Sequence, residues 1–156
     1  METRENWLVR RAQKQDVTAV MGLIQELADY EKASSEVELS VEDFKAHGFG
    51  ADPKFVLWVA EEKNEIVGMA LCYWRYSTWK GPSFYLEDLV VRESHRRRGI
   101  GDVLFEEVKQ YAAEHNAKRL EWQVLDWNKP AIEFYKKKQA ALDGGWLNAR
   151  LTANQL

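Results

Sequence analysis

The chain of 156 residues has one cysteine, three prolines and no long apolar run. Cys72 alone cannot form an internal disulfide, and its place in an apolar strand-like run reads as a core residue rather than a nucleophile. No stretch approaches the roughly 18 apolar residues that a membrane span requires, so no membrane partner is expected. Met1 to Asn6 is charged and lacks an apolar h-region, which argues against a secretory signal. With a single thiol, that points to a cytoplasmic, reducing home. Neither sign of charge dominates. The net charge of −3 argues against a nucleic-acid partner, for which a basic face is expected. The histidines His47, His95 and His115 show no ligand spacing with carboxylates or cysteines, so no metal is expected. There is no internal repeat and no linker, and the length suits one domain over 1–156 with an ordinary packed core, 46% of the residues being hydrophobic.

What is present is an alternation of strand-like and helix-like patterns. Trp7 to Arg11 reads as a strand. Asp16 is placed to cap a helix whose apolar residues Val17, Val20, Met21, Ile24, Leu27 and Ala28 recur at helical spacing. Ser40 to Asp43 resembles a capping box opening a short helix that ends at Gly48 and Gly50. Phe55–Ala60 and Glu65–Tyr76 read as a hairpin around the polar turn Glu61–Asn64. Ser83 to Val91 is a third sheet strand, Gly101 to His115 a helix, and Lys118 to Leu125 a strand with Leu120, Trp122 and Val124 on one face. Asn128 or Lys129 caps a helix reaching about Lys138, and Trp146 to Thr152 reads as a final strand. The expected fold is α/β, a mixed sheet with helices on both faces.

Charge is unevenly placed. Positive residues gather at Arg92–Arg98 and Lys136–Lys138, and acids gather at Asp29, Glu31, Glu36, Glu38, Glu42 and Asp43. The basic run Arg96-Arg97-Arg98-Gly99-Ile100-Gly101 follows a strand and opens a helix. Unpaired N–H groups and the helix dipole favour an anion there, and glycine admits close backbone approach. The same run also reads as a solvated turn capping a helix. Glu87 and Asp88 are adjacent on the third sheet strand, so alternation sends them to opposite faces. Two acids in an apolar strand are costly unless solvated or paired, which points to a role for at least one.

These segments together resemble the GNAT N-acetyltransferases. The resemblance rests on Arg96, Gly99 and Gly101 of the cofactor motif. Glu26 to Glu31, Tyr85 to Asp88, Trp127-Asn128 and Phe134-Tyr135-Lys136 are similar to the spermidine/spermine (diamine) acetyltransferases. Ser77 to Gly81 and Leu125 to Asn128 look closest to the thialysine N-epsilon-acetyltransferase branch. The resemblance implies a mostly antiparallel GNAT sheet with a splayed central strand pair, and acetyl-CoA lying where Ser83–Val91 parts from Lys118–Leu125. Backbone groups of Leu89, Val90 and Val91 would pair with pantetheine. Arg96, Arg97, Arg98, Gly99, Ile100, Gly101 and Asp102 would wrap the pyrophosphate, with Asn128 and Tyr135 against the cofactor. Asn128 also reads as a plain helix cap, and Tyr135 as a core aromatic.

By the same resemblance Tyr135 is the general acid that protonates the leaving thiolate, and Glu87 takes a proton from the acceptor amine. Tyr30, Glu31, Trp79, Glu87 and Asp88 are implied substrate contacts. The implied reaction is direct acetyl transfer to a small cationic amine (thialysine, a lysine-like amino acid, a diamine or a polyamine) by a homodimer. Two alternatives stay open: a protein or peptide lysine acetyltransferase, and a non-catalytic acyl-CoA-binding sensor. Polyamine-specific members carry an acid where this chain has Ser77, which favours a shorter amine. Gln139 stands where the family usually has glycine; either the turn keeps a left-handed backbone at a cost of about 1 kcal/mol, or the helix end is rearranged.

Overall fold

The computed structural model describes residues 6–156; apart from Asn6, the charged N-terminal segment lies outside the described residues. Strand β1 (Trp7–Arg11) leads through a short 3₁₀ turn to helix α1 (Val17–Tyr30). Val17, Val20 and Leu23 are wholly buried, as their helical spacing dictates. Asp16 precedes the helix as expected, yet its carboxylate does not cap it. It accepts from the Gln13 amide at 2.7 Å and from Arg10 at 2.9 Å instead. Helix α2 (Val41–Phe49) is capped by Ser40, whose Oγ accepts from the Asp43 amide at 3.1 Å.

Strands β2 (Val56–Glu62) and β3 (Glu65–Ser77) form the expected hairpin. Its two turn residues, Lys63 and Asn64, both have positive φ, as a two-residue turn with the twist of the flanking strands requires. Strand β4 (Gly81–Val91) pairs antiparallel with β3, and helix α3 (Ile100–Glu114) follows. Strand β5 is only Leu120–Glu121, parallel to β4. The sheet order is β1-β2-β3-β4-β5. On one face α1 and α2 close a core of Val17, Val20, Leu23, Phe44, Val59 and Met69. On the other, Leu104 and Val108 of α3 are wholly buried, beside a ring cluster of Trp58, Phe84 and Tyr111. Each such large apolar side chain contributes about 1.5–3 kcal/mol by leaving water.

The expected strand Lys118–Leu125 shrinks because its pairing ends at Tyr85↔Glu121, while β4 runs on to Val91. The splayed pair is therefore real, and it opens along the C-terminal half of β4. The chain forms two compact units, the first ending at Trp122 and the second Gln123–Leu156. The second holds helix α4 (Lys129–Lys137) and a short 3₁₀ turn, Ala153–Gln155. The expected strand Trp146–Thr152 does not form. Its alternation has no ladder partner within its unit, and Trp146 and Leu147 are 82% and 95% exposed. Among the described residues no helix is long and apolar enough to cross a membrane.

Candidate active site

Alternation predicts that Glu87 and Asp88 point to opposite faces. They do not, because β4 carries a bulge. Leu71 pairs with Asp88 and Cys72 with Leu86, so Glu87 is the extra residue against β3. A bulge breaks the two-residue period locally. Both acids consequently line one cavity of about 490 Å³ between β4, β3, α1 and α2. Its walls are otherwise mostly apolar: Ile24, Leu39, Phe44, Phe55 and Leu71.

Two acids line the cavity, and the charge of a third, Glu31, reaches Asp88. Burial pushes the Asp88 carboxyl up to about 7, and the negative charges of Glu87 and Glu31 add to the shift. Burial also raises Glu31, at the C-terminus of α1. The Tyr73 hydroxyl donates to Oε1 of Glu87 at 3.1 Å. Burial first, and then the Glu87 charge, push that phenol up to about 12. The acidic side of this cavity, beside apolar walls and with His47 and Lys54 elsewhere in the lining, suits a cation with an apolar body, and it offers carboxylates able to accept a proton. Tyr73 was not legible as a site residue. Its only sequence signal is the bulky hydroxyl directly after Cys72, at the register where the ladder slips.

The second feature lies at the end of β4. Arg92 N donates to Val67 O at 2.8 Å, which makes Val91–Gly68 a non-hydrogen-bonded pair of the antiparallel ladder. By the same parity the backbone groups of Leu89 and Val91 face the splayed side, whereas those of Val90 face β3. Val90 is thus unsuited to the backbone pairing expected of it; its side chain is in the core. The Val91 carbonyl already accepts from Arg96 Nε at 3.0 Å. The Arg96 guanidinium carbon lies 5.7 Å from the Tyr30 ring centre, so Tyr30 ties α1 to this loop.

Arg97 and Gly99 both have positive φ (64° and 86°), and Gly99 is the N-cap of α3. A Cβ on Gly99 would meet nothing within 4 Å, so its glycine is required by the left-handed backbone and not by crowding within the chain. The first α3 bond runs from Val103 N to Gly99 O, which leaves the amides of Ile100, Gly101 and Asp102 ahead of the helical ladder. Loop, open space and helix end together fit an anionic group. Arg98 does not point into that role. Its guanidinium grips the Glu62 carboxylate with both Nη atoms, and His95 Nε2 approaches the same carboxylate at 3.1 Å. Arg98 holds the Glu62 carboxyl below the usual range. Sequence reading missed Glu62 because it sits 36 positions away at the end of a polar hairpin.

In the second unit, Asn128 is the N-cap of α4, and its Oδ1 accepts from the Ala131 amide at 3.4 Å. Tyr135 is 8% exposed and packs edge-on against Phe134, with ring centres 5.4 Å apart. Gln139 has φ 64°, so the turn after this helix keeps the left-handed backbone without a glycine. A non-glycine residue there costs about 1 kcal/mol.

Trp79 is not brought to the cavity. It is 88% exposed at the β3–β4 hairpin tip, about 20 Å along β4 from Glu87. Ser77 lies at the same tip, where its Oγ accepts from the Trp79 and Lys80 amides at 3.2 and 3.0 Å. Cys72 is wholly buried, and burial pushes its thiol up, as a core residue requires. Among the described residues no cluster of three or more His, Cys, Asp or Glu side chains could hold a metal ion.

The chain is similar in sequence and in fold to known proteins. Residues 20–140 match the model of the acetyltransferase (GNAT) family. A thialysine N-epsilon-acetyltransferase from Bos taurus is 39% identical over 137 residues, 83% of this chain and 81% of that protein. Its counterpart from Mus musculus is 37% identical over 153 residues, covering 91% and 90%. Among solved structures, an aminoglycoside acetyltransferase from an uncultured soil metagenomic sample superposes with a TM-score of 0.78. It covers 97% of this chain and 99% of its own at 20% identity, a likeness of fold alone.

Proposed function

The chain belongs to the acetyltransferase (GNAT) family, and on that premise we propose that it moves the acetyl group of acetyl-CoA directly to a primary amine of a small cationic acceptor. Thialysine, a lysine-like amino acid or a short diamine is the acceptor, ahead of spermine. The observation that carries this reading is the β4 bulge, which sets Glu87 beside Asp88 in one apolar-walled cavity with the charge of Glu31 nearby.

In this proposal residues 1–156 act as one acetyltransferase domain. The pyrophosphate of acetyl-CoA rests on the amides of Arg97 to Asp102, and backbone groups of Leu89 and Val91 pair with pantetheine. Asn128, at the start of α4, contacts the cofactor arm. Glu31 and Asp88 draw the ammonium in, and the Glu87 carboxylate takes the proton that the amine must lose before attack. The amine nitrogen then bonds to the thioester carbonyl carbon, the C–S bond breaks, and Tyr135 gives its phenolic proton to the departing thiolate. The products are an acetamide and free coenzyme A. A homodimer is supported by the exposed apolar side chains Trp146, Leu147, Leu151 and Leu156, and a cytoplasmic location by the free thiol of Cys72.

The test is release of free coenzyme A thiol from acetyl-CoA with a panel of acceptors: thialysine, lysine, short diamines, spermidine, spermine and a lysine-containing peptide. Thialysine, lysine-like compounds or short diamines are expected to exceed spermine in kcat/KM, and the peptide to be inert. Acetylation of the peptide alone, or no turnover with any amine, contradicts the proposal.

A further inference from the structure

The acceptor cavity has two chemically distinct sides. The acids Glu87 and Asp88 come from β4. Across the apolar walls the lining includes His47 at the C-terminal turn of α2 and Lys54 just before β2. These two are fixed to each other, since the Lys54 amide donates to the His47 carbonyl at 2.7 Å. Strand β3 lies between β2 and β4, so the two sides are about 10 Å apart, two strand spacings.

We propose that Lys54 and His47 form a carboxylate subsite, so that the acceptor is an amino acid held by its distal amine at Glu87 and Asp88 and by its carboxylate at the α2–β2 rim. The inference rests on the amine acetyltransferase reading and deepens it. A lysine-length chain spans a distance of this order. Its methylene or thioether middle suits Ile24, Leu39, Phe44 and Leu71. The internal ammonium of a polyamine would be desolvated against those side chains without a partner. A plain α,ω-diamine of the same length would bring its second ammonium up to Lys54, a like charge. Lys54 is now ion-paired with Asp52 at 3.0 Å, with side chains 64% and 89% exposed. Such a pair contributes little in water, so Lys54 is available to a ligand carboxylate, and Asp52 to the ammonium beside that carboxylate. His47 adds an imidazole N–H donor.

The experiment compares thialysine with its decarboxylated counterpart, the thioether diamine of the same backbone, in the wild type, Lys54→Ala and Lys54→Glu. Steady-state kinetics are run at saturating acetyl-CoA, and the acetyl-CoA KM is measured alongside as a readout of the intact cofactor site. The wild type is expected to favour the amino acid by about tenfold in kcat/KM. Lys54→Ala should remove most of that preference, and Lys54→Glu should invert it, with the acetyl-CoA KM unchanged. His47→Ala should lower the preference by a smaller factor. A wild type that acetylates both amines equally, or a preference that Lys54→Glu leaves intact, overturns the carboxylate subsite while leaving the acetyltransferase reading standing. Turnover of neither amine overturns the reading on which the subsite rests.

Discussion

The Tyr73 hydroxyl and the Glu87 carboxylate, on neighbouring strands, are joined by a hydrogen bond of 3.1 Å across the register slip between Leu71 and Cys72. It fixes the one carboxylate that the bulge leaves outside the ladder. Tyr73→Phe removes the donor and keeps the ring. Because Glu87 is exposed, the loss should be that of an ordinary rather than a charged hydrogen bond, about 3–10-fold in kcat/KM for the amine. The acetyl-CoA KM should not change, which separates positioning of Glu87 from damage to the cofactor site.

Glu62 and Arg98 make opposite predictions for two roles of the arginine. If Arg98 bound phosphate, removing the Glu62 charge would free it and tighten cofactor binding. In the structure the pair ties the loop before α3 to the end of β2, with side chains only 25% and 12% exposed. Glu62→Gln is therefore expected to weaken coenzyme A binding about 3–10-fold by titration calorimetry, through a loosened loop. Tighter binding would return Arg98 to the phosphate.

Asp88 couples activity to stability. Its carboxyl titrates near 7 in the fold and near 3.8 when unfolded, so the folded chain holds the proton more tightly. Stability from this group is complete below about pH 4 and erodes as pH rises toward 7. Asp88→Asn should therefore stabilise the protein more at pH 8 than at pH 5, with a difference on the order of 2–3 kcal/mol in denaturant unfolding. Amine kcat/KM in the wild type should carry a rising limb near pH 7, and the Asn variant should lose it.

Tyr135→Phe should fold and bind coenzyme A normally but turn over about 10²–10⁴-fold more slowly, as loss of a general acid requires. The check is kcat at neutral pH where chemistry limits the rate. Near wild-type turnover would assign the ring to packing against Phe134.

The helices and the hairpin were legible because their signals are local. The spacing of Val17 and Val20, the Ser40 cap and the Lys63-Asn64 turn each act within a few residues. What escaped depends on partners distant in sequence. A bulge exists only relative to the opposing strand, so strict alternation placed Glu87 and Asp88 on opposite faces. Arg98 read as a phosphate donor until Glu62 came to meet it. The backbone parity that turns Val90 toward β3 is a property of the ladder, and the Trp146–Thr152 pattern had the alternation of a strand but forms no ladder with any described residue of its own unit.

The most direct test of the account is the Glu87→Gln variant, with amine kcat/KM and coenzyme A affinity measured on one preparation. The acids at the β4 bulge are held to be where the amine is bound and deprotonated. The predicted result is a loss of about 10²–10⁴-fold in amine kcat/KM, shared by every acceptor, with coenzyme A affinity unchanged. Amine turnover equal to the wild type would contradict the account, because the cavity would then not be the acceptor site.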